Sequence, residues 1–153
     1  PVFVDTVSQA YASTIVDLIG KFHTAKPNLM ETEILSGMKI NSKNDLYKAA
    51  EKILDKGLKR IFVSLGADGC LYMDREGRHI EKKLRPVENM VNATGAGDAF
   101  MAAVIYSYVN EFDIEKTIDY GLAAGIAALS HEKTINPDMS VSLIEKILKE
   151  RRI

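Results

Sequence analysis

The feature that most constrains the fold of this chain is the alternation of two apolar periods along it. Short apolar runs with strand character, such as Val2–Val4 and Arg60–Leu65, alternate with segments such as Leu46–Leu54, whose apolar residues recur at helical spacing. Strands that alternate with amphipathic helices form a mostly parallel sheet with helices on its faces. The sequence therefore predicts an α/β fold.

Capping residues and turn residues place the individual elements. We expect a helix that Ser8 caps and that continues on one face to Phe22, then a short strand at 23–26. A brief helical turn should end at Gly37. The later elements are a helix from Ser42 to Gly57, an antiparallel hairpin of Cys70–Met73 and Arg78–Lys83, and helices at Asp98–Val109, Ile114–Leu129 and Val141–Glu150.

Charge and cysteine content exclude several kinds of partner and compartment. The chain has 20 Lys and Arg against 21 Asp and Glu, a net charge of -1, which excludes the strongly basic surface of a nucleic-acid binder. No apolar run reaches the ~18 residues of a membrane span, so we expect neither a nucleic-acid nor a membrane partner. The lone Cys70 cannot form an internal disulfide, which predicts a reducing, cytoplasmic location.

The segment with the most chemical information is Thr94–Phe100, with the sequence TGAGDAF. Its two glycines flank one alanine before a long apolar helix, so the N–H groups of Ala96–Asp98 are unhindered at a helix N-terminus and attract an anion. The helix dipole also keeps a carboxylate in this turn ionised. An anion site beside Asp98 suits phosphoryl transfer to a hydroxyl, because the amides stabilise the moving charge and the carboxylate accepts the proton.

Other interpretations of this segment remain open. The structural alternative is a tight loop in which Asp98 is only the helix N-cap. The P-loop pattern fails because no Lys follows the glycines, and the dinucleotide pattern fails because Phe100 stands where it needs a third glycine. Two functional alternatives are a regulatory module that binds a nucleotide or phosphate without catalysis, and a doubly wound domain that binds no nucleotide.

Thr94–Phe100 resembles the C-terminal signature of the ribokinase (PfkB) family of carbohydrate and nucleoside kinases. Pro27–Glu31 resembles the family's N-x-x-E motif, and Ser64–Gly69 resembles its S/T-L-G-x-x-G segment, in the family's order. Taken alone, the first would be a helix cap with an acid in the first turn and the second a simple turn. Three ordered motifs are more specific than any one of them.

The resemblance covers essentially the whole chain but only the C-terminal half of a family member. It implies a ribokinase-like fold in which 1–153 is one domain, the nucleotide-binding and catalytic half, with the N-terminal half and lid absent. The chain opens at Pro1, inside an expected strand, which fits a piece of a longer protein. We expect this piece alone to be inactive, and the resemblance leaves a homodimer possible for the full-length protein.

The resemblance also implies the activity, the cofactors and the site residues. The family transfers the γ-phosphoryl group of ATP to a primary hydroxyl of a sugar or nucleoside. Asp98 matches the catalytic base, and Gly95, Ala96 and Gly97 match the anion hole. Glu31 matches the residue that holds Mg²⁺ through water. The residues expected to bind the nucleotide are Asn28, Ser64, Gly66, Gly69, Thr94 and Asn136.

One position departs from the family pattern and narrows the resemblance. Asn92 stands where the family usually has an Asp that shapes a monovalent-cation site in some members, so activation by potassium is left open. Together with Phe3–Ser8 and Thr134–Pro137, Asn92 resembles the pseudouridine kinase branch of the family. This implies pseudouridine as the acceptor, with the loop at 132–137 near the adenine.

Overall fold

A computed structural model of the protein describes residues 1–86, 94–133 and 135–152. The strands in these residues are β1 (Phe3–Asp5), β2 (Thr24–Lys26), β3 (Arg60–Ser64), β4 (Cys70–Asp74) and β5 (His79–Lys82). The α-helices are α1 (Gln9–Thr14), α2 (Leu29–Ser36), α3 (Lys43–Asp55), α4 (Ala96–Val109), α5 (Ile114–Leu129) and α6 (Val141–Arg151), and 3-10 turns lie at Ile19–Lys21 and Gly66–Asp68. The predicted α/β fold is confirmed.

The strands form one sheet in the order β1-β2-β3-β4-β5. β1, β2 and β3 run parallel, with Val4 opposite Ala25 and Ala25 opposite Ile61. β4 runs antiparallel to β3, and β5 follows as the other arm of the expected hairpin. Parallel strands present their carboxyl ends at one edge of a sheet, where ligands bind in open α/β folds.

The chain divides into two compact units, Pro1–Gly66 with Cys70–Glu81 and Ala67–Gly69 with Lys82–Ile153. In the first unit, apolar side chains of β1–β4 and of α1, α2 and α3 form one buried core. In the second unit, α4, α5 and α6 bury a separate core with Leu84. The expectation of a single domain over 1–153 stays a prediction.

Two expected helices of the first unit differ from those observed. α1 ends at Thr14 instead of continuing to Phe22, and a 3-10 turn follows at Ile19–Lys21. A Cβ added at Gly20 would lie 1.8 Å from the carbonyl oxygen of Lys56, so only glycine lets this turn lie against the backbone at Lys56. The brief turn expected before Gly37 is instead the eight-residue helix α2, which Gly37 ends in the left-handed conformation.

Close packing of α4 against α5 positions the glycine-rich segment of the second unit. A Cβ added at Gly121 would lie 2.7 Å from the ring of Phe100, whereas one added at Gly125 would lie 3.5 Å from the carbonyl oxygen of Ala96. The two glycines lie one turn apart on α5, so they leave a flat strip on which the first turns of α4 rest.

Across the described residues, we find no helix that combines the length and the apolar character needed to cross a membrane.

Candidate functional site

Gly95 starts α4 in a conformation that only glycine adopts without strain. It is the N-cap residue, with φ of 89°, and as a glycine it has no side chain of its own to cap the helix. Ala96, Gly97 and Asp98 are the first three helical residues, so their N–H groups have no acceptor inside the helix. Asp98 is therefore not the N-cap, and that structural alternative is wrong.

The carboxylate of Asp98 is exposed, and it makes no hydrogen bond within the described part of the chain. It lies in the first turn of a helix of 14 residues, where the helix dipole favours a negative charge. A carboxylate without a partner retains its lone pairs for a proton or a ligand. The arrangement can bind an anion on backbone amides and accept a proton one residue away.

Beside this helix start lies a cleft of about 450 Å³. Asp98, Asn136 and Ser140 are polar residues of its lining, and most of the remaining lining residues are apolar residues of α4, α5 and α6. A largely apolar cleft with a few polar groups is typical of a site for a small molecule.

Asn136 shapes this cleft through its own hydrogen bonds. Its side chain is 8% exposed, with Nδ2 donating to the carbonyl oxygen of Ala127 at 2.9 Å and Oδ1 accepting from the N–H of Asp138 at 2.9 Å. The amide therefore ties its loop to α5. Ile135, beside it, is 81% exposed and also lines the cleft.

In the first unit, the carboxyl ends of the parallel strands bring Asn28, Glu31 and Ser64 together. Asn28 caps α2: its Oδ1 accepts from the N–H of Glu31, and Glu31 Oε2 accepts from the N–H of Asn28, both at 2.9 Å. The N–H of Ser64 donates to the carbonyl oxygen of Pro27 at 2.9 Å, next to a backbone bridge with Asn28. The N-x-x-E segment is thus a capping box at the edge of the sheet where open α/β folds bind their ligands.

Sequence reasoning did not single out Thr6 as a member of this group. Thr6 directly follows β1, is fully buried, and donates a hydrogen bond from Oγ1 to Glu31 Oε2. Thr6 lies within Phe3–Ser8, which indicated only a branch of the family, and the signal for its place in the site is its position after the first strand, because residues at the carboxyl ends of parallel strands share one edge.

Glu31 fits a Mg²⁺ ion held through water. Its side chain is buried, two donors reach Oε2, and Oε1 accepts no hydrogen bond within the described part of the chain. Mg²⁺ prefers oxygen ligands, retains much of its water and relies on few carboxylates. No cluster of three or more His, Cys, Asp or Glu residues forms a metal site in the described ranges.

The Gly66–Gly69 segment is a 3-10 turn, as its structural alternative expects. Gly66 has φ of 62° and Gly69 has φ of 87°, which favour glycine at both positions. At Gly69 a Cβ would also lie 2.1 Å from the carbonyl oxygen of Lys82. Gly69 is therefore needed for packing, and this need is independent of its expected place in a nucleotide site.

The expected site residues fall in both compact units. Asn28, Glu31, Ser64 and Gly66 belong to the first, whereas Gly69, Thr94–Asp98 and Asn136 belong to the second. Thr94 is exposed at the start of its segment. Asn92 and Thr134 lie outside the described residues.

Comparison with known proteins decides the family. Residues 1–140 match the model of the pfkB family carbohydrate kinases. The chain belongs to the pfkB family. Pseudouridine kinase from Escherichia coli (strain K12), a pfkB relative by sequence, is 35% identical over 150 residues, which are 97% of this chain and 47% of that protein.

Solved structures share the same fold. A candidate sugar kinase from Clostridium perfringens superposes with a TM-score of 0.88 at 38% identity, over 97% of this chain and 46% of that one. Ribokinase from Arabidopsis thaliana, complexed with ribose and ATP, has a TM-score of 0.84 at 25% identity, over 97% of this chain and 47% of that one. The ribokinase-like fold is confirmed, and the chain spans about half the length of the curated relatives it matches.

Proposed function

We propose that the protein containing this chain is an ATP-dependent kinase that phosphorylates a primary hydroxyl of a sugar or nucleoside. The observation that carries the proposal is the start of α4, where the first backbone N–H groups of the helix and the exposed carboxylate of Asp98 lie within one turn. Membership of the pfkB family of carbohydrate kinases supports the same reaction.

Asp98 is the proposed general base. The hydroxyl oxygen of the acceptor forms a bond to the γ-phosphorus as the bond from that phosphorus to the β–γ bridging oxygen breaks, and ADP leaves with the electron pair. The hydroxyl proton moves to a carboxylate oxygen of Asp98. Phosphoryl transfer has a loose transition state that makes little demand on the base, so an exposed Asp is adequate.

The amides of Ala96, Gly97 and Asp98 are proposed to hold the oxygens of the transferring group. They are fixed by the helix before the reaction begins, so they stabilise the charge without reorganising. The cleft beside them suits the adenine, because its wall is largely apolar and the amide of Asn136 holds one side in place.

Glu31 and Asn28 are proposed to hold Mg²⁺ and the phosphates. A bound Mg²⁺ neutralises charge on the phosphate oxygens. Glu31 offers Oε1 to water in the ion's shell, and Asn28 fixes the carboxylate through its backbone N–H. Ser64, Gly66, Gly69 and Thr94 remain proposed nucleotide-site residues. The proposal specifies no monovalent cation, because Asn92 stands where the family usually has the Asp that shapes such a site.

Pseudouridine is the proposed acceptor, phosphorylated at the 5′-hydroxyl. The 35% identity to the Escherichia coli pseudouridine kinase supports it, together with the resemblance at Asn92 and Thr134–Pro137. A cytoplasmic location, and a homodimer of the complete gene product, fit the same proposal.

An ADP-release assay of the complete gene product with ATP and Mg²⁺ tests both levels of the proposal. The acceptors are pseudouridine, uridine, ribose and fructose, and we expect the highest kcat/KM with pseudouridine. A preference for a free sugar would overturn the acceptor and leave the kinase standing. Tight ATP binding with no ADP release for any acceptor would favour the regulatory, non-catalytic module instead.

A further inference from the structure

Thr6 forms a hydrogen bond that links two separate elements of the first unit. Its hydroxyl lies after β1 and donates to the carboxylate of Glu31 in α2, 25 residues away in sequence. Thr6 is fully buried and Glu31 is 3% exposed. A buried carboxylate needs donors in place of water, and hydrogen bonds to a charged group are among the strongest in proteins.

The two donors to Glu31 reach the same oxygen. The Thr6 hydroxyl and the N–H of Asn28 both donate to Oε2, and Oε1 receives no donor within the described residues. The terminal torsion of a glutamate is otherwise broad, so one donor alone leaves the carboxylate free to turn. Two donors on one oxygen fix the plane of the group and leave Oε1 for a ligand.

The backbone next to Thr6 adopts an uncommon conformation. Val7 has φ of 53°, a value that is a genuine outlier for a β-branched residue, and its side chain is 74% exposed. The N–H of Ser8 donates to the carbonyl oxygen of Thr6, and the Ser8 side chain then caps α1. Such a turn persists only where its surroundings over-determine it, and such turns concentrate at functional sites.

We propose that Thr6 is a positioning residue that holds Glu31 so that Oε1 faces the water shell of Mg²⁺. This rests on the proposed function, which gives Glu31 its role toward the metal. Thr6 acts only through Glu31 and is proposed to contact neither the metal nor the substrate. Removing its hydroxyl should weaken the binding of Mg²⁺ and leave metal-free nucleotide binding unchanged.

The test is a Mg²⁺ titration without turnover. ADP binding to the complete gene product is measured by calorimetry at a series of Mg²⁺ concentrations and in EDTA, for the parent, Thr6→Val, Thr6→Ser and Glu31→Gln. Thr24→Val is the matched control, since Thr24 is also buried in a neighbouring strand but its hydroxyl pairs with His23. Unfolding temperatures are recorded for every variant.

We expect Thr6→Val to raise the Mg²⁺ concentration for half-maximal ADP binding by ~10-fold or more, the usual effect of losing a group that orients a metal-site residue. Thr6→Ser and Thr24→Val should match the parent, as should the affinity of every variant in EDTA. Should Thr6→Val be too unstable to titrate, Thr6→Ala supplies the same comparison.

The outcomes separate the inference from the proposed function. A shift in Glu31→Gln without one in Thr6→Val would overturn the role of Thr6 and keep that of Glu31. No shift in Glu31→Gln would overturn the proposed role of Glu31 itself, and the inference with it. Equal losses of ADP affinity with and without Mg²⁺ in Thr6→Val would show that Thr6 only maintains the fold.

Discussion

The two carboxylates proposed for catalysis have opposite surroundings. Glu31 is 3% exposed and accepts two hydrogen bonds, whereas Asp98 is exposed and accepts none in the described part of the chain. A carboxylate that must hold a fixed direction benefits from hydrogen-bond donors, because the donors restrict its rotation before the ligand binds. A carboxylate that must take up a proton gains from free lone pairs.

The two regions are also held in place by different forces. The strand ends around Asn28 are positioned by hydrogen bonds between side chains and backbone. The start of α4 has a glycine at its N-cap and is positioned by the close approach of α4 to Gly121 and Gly125 of α5. Substitutions that remove a hydrogen bond should therefore disturb the first region most. Substitutions that add side-chain volume should disturb the second region most.

The largest expected effect comes from separating this chain from the rest of the protein. We predict no ADP release above background for residues 1–153 alone, assayed beside the complete gene product with ATP, Mg²⁺ and pseudouridine. Positioning of the reacting groups supplies up to ~7–11 kcal/mol of such catalysis, and half of the curated relatives' length is outside this chain. Equal specific activity would show that this piece carries a complete site.

The next largest effect tests the hydrogen-bonded region. Glu31→Gln should lower kcat/KM by ~10–100-fold at limiting Mg²⁺, with part of the loss recovered at high Mg²⁺. Glu33→Gln is the control on the same helix, since the Glu33 carboxylate pairs with Lys39 and accepts the N–H of Ile40. Equal kinetics of the two variants at every Mg²⁺ concentration would contradict the role of Glu31.

A smaller effect tests the packed region. Gly121→Ala should lower the free energy of unfolding by ~1–3 kcal/mol, because its methyl group would overlap the ring of Phe100. Gly125→Ala has room for the methyl group and should raise that free energy by up to ~1 kcal/mol, the gain in helix propensity. Urea unfolding curves measure both, and the reverse order would show that α4 does not rest on Gly121.

The sequence predicted elements well where a local signal coincided with the packing. The bounds of α5 were predicted to the residue, and the cap at Ser42 marks the observed start of α3. α1 was predicted too long, since Ile15 and Ile19 keep the helical period and are buried even though the backbone turns between them. The apolar periodicity indicates which side chains are buried, but it does not determine whether the backbone between them forms one continuous helix.

The candidate site was predictable only where its residues form a motif. The residues of Gly95–Asp98 and of Asn28–Glu31 are close neighbours in the sequence, so the spacing that forms each part of the site can be recognised in the sequence. Thr6 lies in the Phe3–Ser8 segment, which gave no site role to it, and its partner lies 25 residues away. The hydrogen bonds of Asn136, which tie a loop to α5, also depend on tertiary contacts that no local pattern encodes.

The most direct test of the account is the replacement of Asp98 by Asn in the complete gene product, with Asp17→Asn as an exposed control of the same chemistry. The amide preserves the shape of the first turn but cannot accept the proton. We predict that kcat falls by ~10²–10⁴-fold, the usual contribution of a general base, while the affinity for ADP stays close to that of the parent. A variant that retains more than about a tenth of the parent kcat, a loss well below that range, would contradict the assignment of Asp98 as the base.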